Sequence, residues 1–83
     1  MKGVQVSQRD RTRALSTVLA VHNQDSREFE RIEADVFAEF GGYRRLIGAL
    51  CDLVVEGYDV EHGGDVAKVR ATLIERRQLA ERG

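Results

Sequence analysis

Residues 46–55 form the segment that most constrains what this chain can fold into. Their sequence, LIGALCDLVV, contains a single charged residue, Asp52. On a helix turning by about 100° per residue, the apolar side chains fill an arc of roughly 200°, and only Gly48 and Asp52 face away. A surface helix ordinarily has a narrower apolar stripe. The segment is therefore expected to lie at the centre of a bundle, or to be covered by a second copy or a partner.

The chain is short for a protein that must bury a core of its own. It has 83 residues, of which 42% are hydrophobic and 33% are charged, as in a folded domain and unlike a disordered one. We expect a single helical domain over residues 1–83, with residues 1–6 frayed or extended. A domain of this size has a marginal core, and self-association is a common remedy.

Apolar spacing and polar or glycine-rich breaks predict four helices. The first begins at residues 7–10, and an Asn-Gln-Asp-Ser loop follows it at 23–26. The second ends at a glycine pair and the third at Gly57, in the manner of helix C-terminal glycines. The predicted ranges of the last three helices are 29–40, 43–56 and 65–81, with a loop at 58–64. The fold class is therefore all-α, a small three- or four-helix bundle that is dimeric, with the second and third helices as its central hairpin.

Helical spacing also predicts which side chains face the core. On the first helix these are Ala14, Leu15, Val18, Leu19 and Val21, and on the second Phe29, Ile32, Val36, Phe37 and Phe40.

Charged residues fall within the predicted apolar faces of three helices, and the face of the first helix includes Arg11 and His22. Glu33 lies among the phenylalanines of the second helix, and Arg70 and Arg77 lie among the aliphatic residues of the fourth. Ionised groups are rarely buried unless they are paired, because desolvation costs several kcal/mol per ion. We expect Glu33 to meet Arg70 or Arg77 inside the bundle or at a subunit interface. The alternative is that these side chains lie at the edge of each face and extend to water.

The sequence contains no pattern that predicts catalysis or a metal site. Asp59 and His62 are close in sequence, but no second pair stands at ligand spacing. The serines look like helix caps or exposed positions, and the histidines have no evident partner. Cys51 is expected to pack as a small hydrophobic residue. We predict a protein that is not an enzyme and that has no catalytic residue, cofactor or metal.

Arginine clusters make DNA binding the principal alternative. The basic residues that could form a ridge are Arg9, Arg11, Arg13, Arg44, Arg45, Arg76, Arg77 and Arg82. Arg44 and Arg45 begin the third helix, which is the unfavourable end of the helix dipole for a cation, so they have another role or simply solubilise the chain. The acidic second helix would repel phosphate, and the net charge of −1 gives no field for nucleic acid. Nucleic acid is therefore a less favoured partner.

Composition also bears on location and origin. The chain has one cysteine and no apolar run approaching the ~20 residues that cross a membrane. It begins without a signal-peptide pattern, so we expect a cytoplasmic protein with no membrane partner. Eleven arginines against two lysines indicate a GC-rich genome, such as that of an actinobacterium or one of its phages.

These observations favour a non-enzymatic, small helical interaction or regulatory protein that self-associates and binds a host or cellular protein. The alternative is a small DNA-binding transcriptional regulator that uses the arginine clusters. The residues expected at the protein interface are Leu46, Leu50, Leu53, Val54, Phe37 and Phe40, with Glu33, Arg70 and Arg77 setting its register.

Overall fold

The computed structural model describes residues 6–83, and these form four helices and no strand. The all-α prediction is confirmed, whereas its dimeric part stays a prediction. Residues 1–5, predicted to be frayed or extended, lie outside the described part. The chain divides into two compact units, the first ending at Leu53 and the second beginning at Val54. The helices are α1 (Gln8–His22), α2 (Ser26–Ala38), α3 (Gly42–Glu61) and α4 (Val66–Arg82).

Polar side chains at the N-termini explain where three of the helices begin. Ser7 and Asp10 form a reciprocal capping box on α1, in which each side chain accepts a hydrogen bond from the other residue's backbone N–H. Asp25 accepts from the backbone N–H of Glu28 at the start of α2. Asp65 caps α4 in the same way. Such caps satisfy N–H groups that have no partner within the helix and typically contribute about 1 kcal/mol each.

The third helix is longer than the sequence predicts, and its predicted end at Gly57 is wrong. α3 continues through Gly57 to Glu61 and leaves only a short turn before α4. An internal glycine weakens a helix by about 1 kcal/mol relative to alanine, which is not enough to end one that is otherwise favourable. The helix ends instead where Gly63 and Gly64 adopt φ values of 62° and 81°. The Gly64 N–H then donates to the Asp59 carbonyl at 2.8 Å, as in a Schellman motif.

The core of the first unit is built from small and branched side chains of three helices. Ala14 of α1, Ile32 and Val36 of α2, and Leu46 and Ala49 of α3 are buried together. Leu50 and Leu53 are half-buried against this cluster. Gly48 is also buried, so the prediction that it faces away from the core is wrong.

The predicted apolar face of α1 is largely wrong. The buried residues of this helix are Asp10, Ala14 and Ala20, so α1 packs against its neighbours through small side chains and an ion-paired carboxylate. Small residues allow helix axes to approach closely, and the larger aliphatic residues then point elsewhere. The exposed large hydrophobic side chains on this helix are Leu15, Val18, Leu19 and Val21. We call Leu15, Val18 and Leu19, which share one side of the helix, the α1 stripe.

The second unit is formed by the last two turns of α3 and by α4. Val69 is its buried apolar residue, and Thr72 and Leu73 are half-buried. His62 stacks on Tyr58 with ring centroids 6.5 Å apart. The Nε2 atom of His62 lies 2.9 Å from the Thr72 hydroxyl, so this contact fastens the turn to α4.

Candidate functional site

An apolar groove runs between α2 and α3 in the first unit. It has a volume of about 190 Å³. Glu33 is the one charged side chain among its lining residues. The lining residues are Thr17, Phe29, Ile32, Glu33, Val36, Tyr43, Leu46, Ile47 and Leu50. We call this feature the α2–α3 groove; the buried core forms its floor, and exposed side chains form its rim.

Exposed aromatic and branched side chains form the rim of the α2–α3 groove. Tyr43 is 50% exposed and Ile47 is 46% exposed. Phe37 stacks on Tyr43 with ring centroids 5.2 Å apart and the two planes 8° from parallel. The stack brings together two large side chains that are each at least half exposed. Aromatic residues are enriched at protein interfaces, where a few large side chains carry much of the binding energy.

The residues predicted at an interface occupy three different environments. Leu46 is buried in the core and forms part of the groove floor, and Leu50 and Leu53 are half-buried beside it. Exposed positions are held by Phe37, Phe40 and Val54. Phe40 lies beyond the C-terminus of α2, in the turn that precedes α3, rather than on α2 as predicted, because Glu39 adopts extended backbone and ends the helix. The role of all six predicted residues at a protein interface stays a prediction.

The residues predicted to set the register, Glu33, Arg70 and Arg77, are all exposed. Glu33 lies at the edge of the α2–α3 groove in the first unit, whereas both arginines belong to α4 in the second. Within residues 6–83, the ion pairs closer than 4 Å do not include any of the three. Their pairing across a subunit interface therefore stays a prediction.

Arg45 connects α3 to α1 and to the turn that follows α2. Its guanidinium donates to a carboxylate oxygen of Asp10 on α1 at 3.3 Å and to Glu39 at 3.0 Å. It also donates to the carbonyl of Phe40 at 3.1 Å. A single planar guanidinium can make these contacts because its five N–H groups point in fixed, diverging directions.

Glu39 completes this ion-pair network by accepting from α1 as well. Arg13 donates to both of its carboxylate oxygens, at 2.7 and 3.3 Å, and Arg9 pairs with it from one turn earlier. Three arginines therefore converge on the residue that follows α2. The network holds the α2–α3 turn against α1, and so it positions the Phe37–Tyr43 stack that borders the groove.

The network lowers the pKa of both of its carboxyl groups. For Glu39 the largest cause is the hydrogen bond from Arg13, which outweighs desolvation and is reinforced by the charges of Arg13 and Arg9. For Asp10 burial acts to raise the pKa, but hydrogen bonds from Ser7 and Arg45 together lower it. Both groups are therefore held in the charged form that the arginines require.

Acidification is expected to destabilise the protein through these two groups. Because their pKa values are lower in the folded chain than the ordinary 4.5 and 3.8, the stability they contribute is complete above about pH 4.5 and is lost as the pH falls through the folded values. Thermal unfolding followed by circular dichroism between pH 7 and pH 3 measures this. We expect Glu39→Gln to lower the midpoint at pH 7 and to flatten its acid dependence. Glu30→Gln, which alters an exposed acid of α2 outside the ion pairs, is the control; an equal flattening there would contradict the assignment.

Two sequence patterns drew attention to residues of this ion-pair network, but neither predicted the contacts between them. The unfavourable position of Arg44 and Arg45 at a helix N-terminus indicated that they either have another role or solubilise the chain, and Ser7-Gln8-Arg9-Asp10 indicated a helix start. Neither pattern predicts that Arg45 and Asp10, 35 residues apart, make contact. Only the packing of α1 against α3 brings them together.

Other side chains with potential chemistry do not assemble into a second site. Cys51 is exposed on α3, so its predicted packing as a small hydrophobic residue is wrong. Cys51 and the following Asp52 are both exposed, so this side of the helix is turned away from the core. Among the described residues, no group of three or more His, Cys, Asp or Glu side chains is placed to hold a metal ion. None of the described helices is long and apolar enough to cross a membrane.

Comparison with known proteins identifies no relative of this chain. No protein family matches it, and no significant similarity was found to curated proteins or to solved structures.

Proposed function

We propose that this protein is a non-enzymatic interaction protein that self-associates and presents a helical surface to a protein partner. The observation that carries this proposal is the open, apolar α2–α3 groove with the Phe37–Tyr43 stack on its rim. Removing apolar surface from water contributes roughly 25 cal/mol per Å², so covering these side chains would strongly favour association.

The chain also has a second apolar surface, which is why the proposal includes a further partner. The α1 stripe places Leu15, Val18 and Leu19 on one side of α1, and all three are at least half exposed. Self-association through the α2–α3 groove leaves this stripe available. A partner suited to it would present an apolar helix or sheet face of its own.

The ion-pair network counts against the alternative of a DNA-binding regulator. Arg9, Arg13 and Arg45 direct their guanidinium groups at Glu39 and Asp10, so their charge is largely neutralised within the protein. Phosphate contacts require cations that are free to replace counterions. The arginines outside this network that remain for such a function lie mainly on α4.

Sedimentation velocity over a wide range of protein concentrations tests the proposal. We expect the mass to rise from the monomer value of 9.3 kDa towards twice that value as concentration increases. Ile47→Glu, which places a charge on the groove rim, is expected to keep the chain monomeric and helical. Val60→Glu is the matched control, because Val60 lies on the same helix outside the groove and is 85% exposed.

Two results would overturn the proposal. One is a single monomer mass at every concentration. The other is binding of duplex DNA that weakens steeply with salt and is lost when the α4 arginines are replaced, which would support the regulator instead.

A further inference from the structure

The composition of the α2–α3 groove indicates what could fill it. Its lining side chains are apolar apart from the hydroxyl groups of Thr17 and Tyr43 and the carboxylate of Glu33, which is the one charged group among them. Glu33 is exposed and has no cation within ion-pair distance among residues 6–83. An occupant that buried the groove would have to bring a cation to this carboxylate, since an unpaired buried charge is strongly unfavourable. The groove therefore suits an amphipathic helix that carries both apolar and basic side chains.

Helix α4 carries such a face. Val66, Arg70, Ile74 and Arg77 follow one another at intervals of four, four and three residues, so they form one stripe along the helix. All four are exposed. At 1.5 Å per residue the stripe is about 16 Å long. We call these residues the α4 stripe.

The two arginines of the α4 stripe are available for a new contact. Neither Arg70 nor Arg77 forms an ion pair within the described chain, unlike Arg13 and Arg45, which are engaged by Glu39. The charges are also complementary. Apart from Glu39, which the ion-pair network engages, residues 25–40 carry five acids against two arginines, whereas residues 63–83 carry five basic residues against three acids.

We propose that the occupant of the α2–α3 groove is the α4 stripe of a second copy of this chain, with Arg70 and Arg77 facing the partner's Glu33. Val66 and Ile74 then cover apolar surface of the groove. This inference rests on the proposed function, because it specifies the surfaces through which self-association occurs.

In the proposed dimer the exchange is reciprocal. Each copy offers one groove and one α4 stripe, and each of these surfaces meets the other kind of surface on the partner. Direct pairing of groove with groove is disfavoured, because it would bring two Glu33 carboxylates together without a cation. The reciprocal exchange instead gives each carboxylate an arginine.

Charge reversal in separate chains tests the exchange. One variant carries Glu33→Arg, and the other carries Arg70→Glu and Arg77→Glu. Each alone is expected to have a dimer dissociation constant at least tenfold weaker than the unaltered chain, because like charges meet in both contacts. When the two are mixed, the groove of each variant faces an α4 stripe of opposite charge, so a heterodimer should form. Sedimentation velocity with one variant fluorescently labelled measures it.

The matched control reverses two other arginines of the same helix. Arg76→Glu with Arg82→Glu makes the same change of charge, but both positions lie off the α4 stripe, so the dissociation constant should stay within about twofold of the unaltered chain. Circular dichroism checks that every variant keeps its helix content.

The outcomes separate this inference from the proposed function. If the unaltered chain is always monomeric, the proposed function fails. If it dimerises but charge reversal has no effect, or if the mixed variants remain apart, the chain self-associates through other surfaces and only the exchange is overturned. If α4 of the same chain filled the groove, mixing the two variants would not restore association, and that result would also refute the exchange.

Discussion

Replacing Leu46 by alanine is expected to lower the free energy of unfolding by about 2–5 kcal/mol. Leu46 is only 9% exposed and packs with Ala14, Ile32, Val36 and Ala49 in the core of the first unit. Truncation would remove three carbons together with their contacts to the core, and would leave a void beside the groove that Leu46 lines. Since the total stability of a small domain is roughly 5–10 kcal/mol, this one change would consume a large part of it.

Denaturant unfolding followed by circular dichroism, at one fixed protein concentration, measures the effect of Leu46→Ala. Leu19→Ala is the matched control, because it removes the same atoms from a leucine that is 58% exposed on α1. We expect the control to change stability by less than about 1 kcal/mol. Equal losses for the two variants would show that Leu46 does not belong to the core.

Replacing Gly42 by alanine is expected to have the second-largest effect, a destabilisation of about 1–3 kcal/mol. An added Cβ would lie 2.4 Å from the carbonyl oxygen of Val36 and 3.1 Å from the Cβ of Glu39. The nearer atom belongs to the backbone, so the clash is relieved only by moving α2 or the start of α3. That movement would also disturb the arginine contacts of Glu39.

Gly57→Ala provides the control within the same helix. Gly57 lies in the interior of α3, its φ is not positive, and an added Cβ would meet no atom within 4 Å. Alanine there is expected to stabilise the protein by about 0.5–1 kcal/mol, because it reduces the conformational freedom of the unfolded chain. Thermal and denaturant unfolding of the two variants should therefore shift in opposite directions. A loss of stability in Gly57→Ala would indicate that the helix ends where the sequence alone predicts.

Local sequence determined the class of structure. Four helices follow from apolar spacing, from the polar N-terminal residues Ser7, Asp25 and Asp65, and from the glycine-rich turns. These signals act between residues a few positions apart, so they can be interpreted without knowing the fold. The sequence did not predict the groove, but it did indicate that the apolar segment at 46–55 lies at the centre of a bundle or is covered by a second copy or a partner. The floor and rim of the groove correspond to that segment and to the phenylalanine face of α2.

Tertiary structure decided which of several apolar faces is buried and where the charges go. On α1 the sequence contains both a face of small residues and a face of larger aliphatic residues, and periodicity alone does not show which of the two is buried. In the structure Ala14 and Ala20 are buried, because small residues allow close packing. The larger Leu15, Val18 and Leu19 are exposed. The contact of Arg45 with Asp10 and Glu39 likewise depends on how three helices meet. The length of α3 followed from a balance in which one internal glycine was too weak to end the helix. In each case the outcome depends on interactions between residues that are distant in sequence, and local sequence patterns contain no information about those interactions.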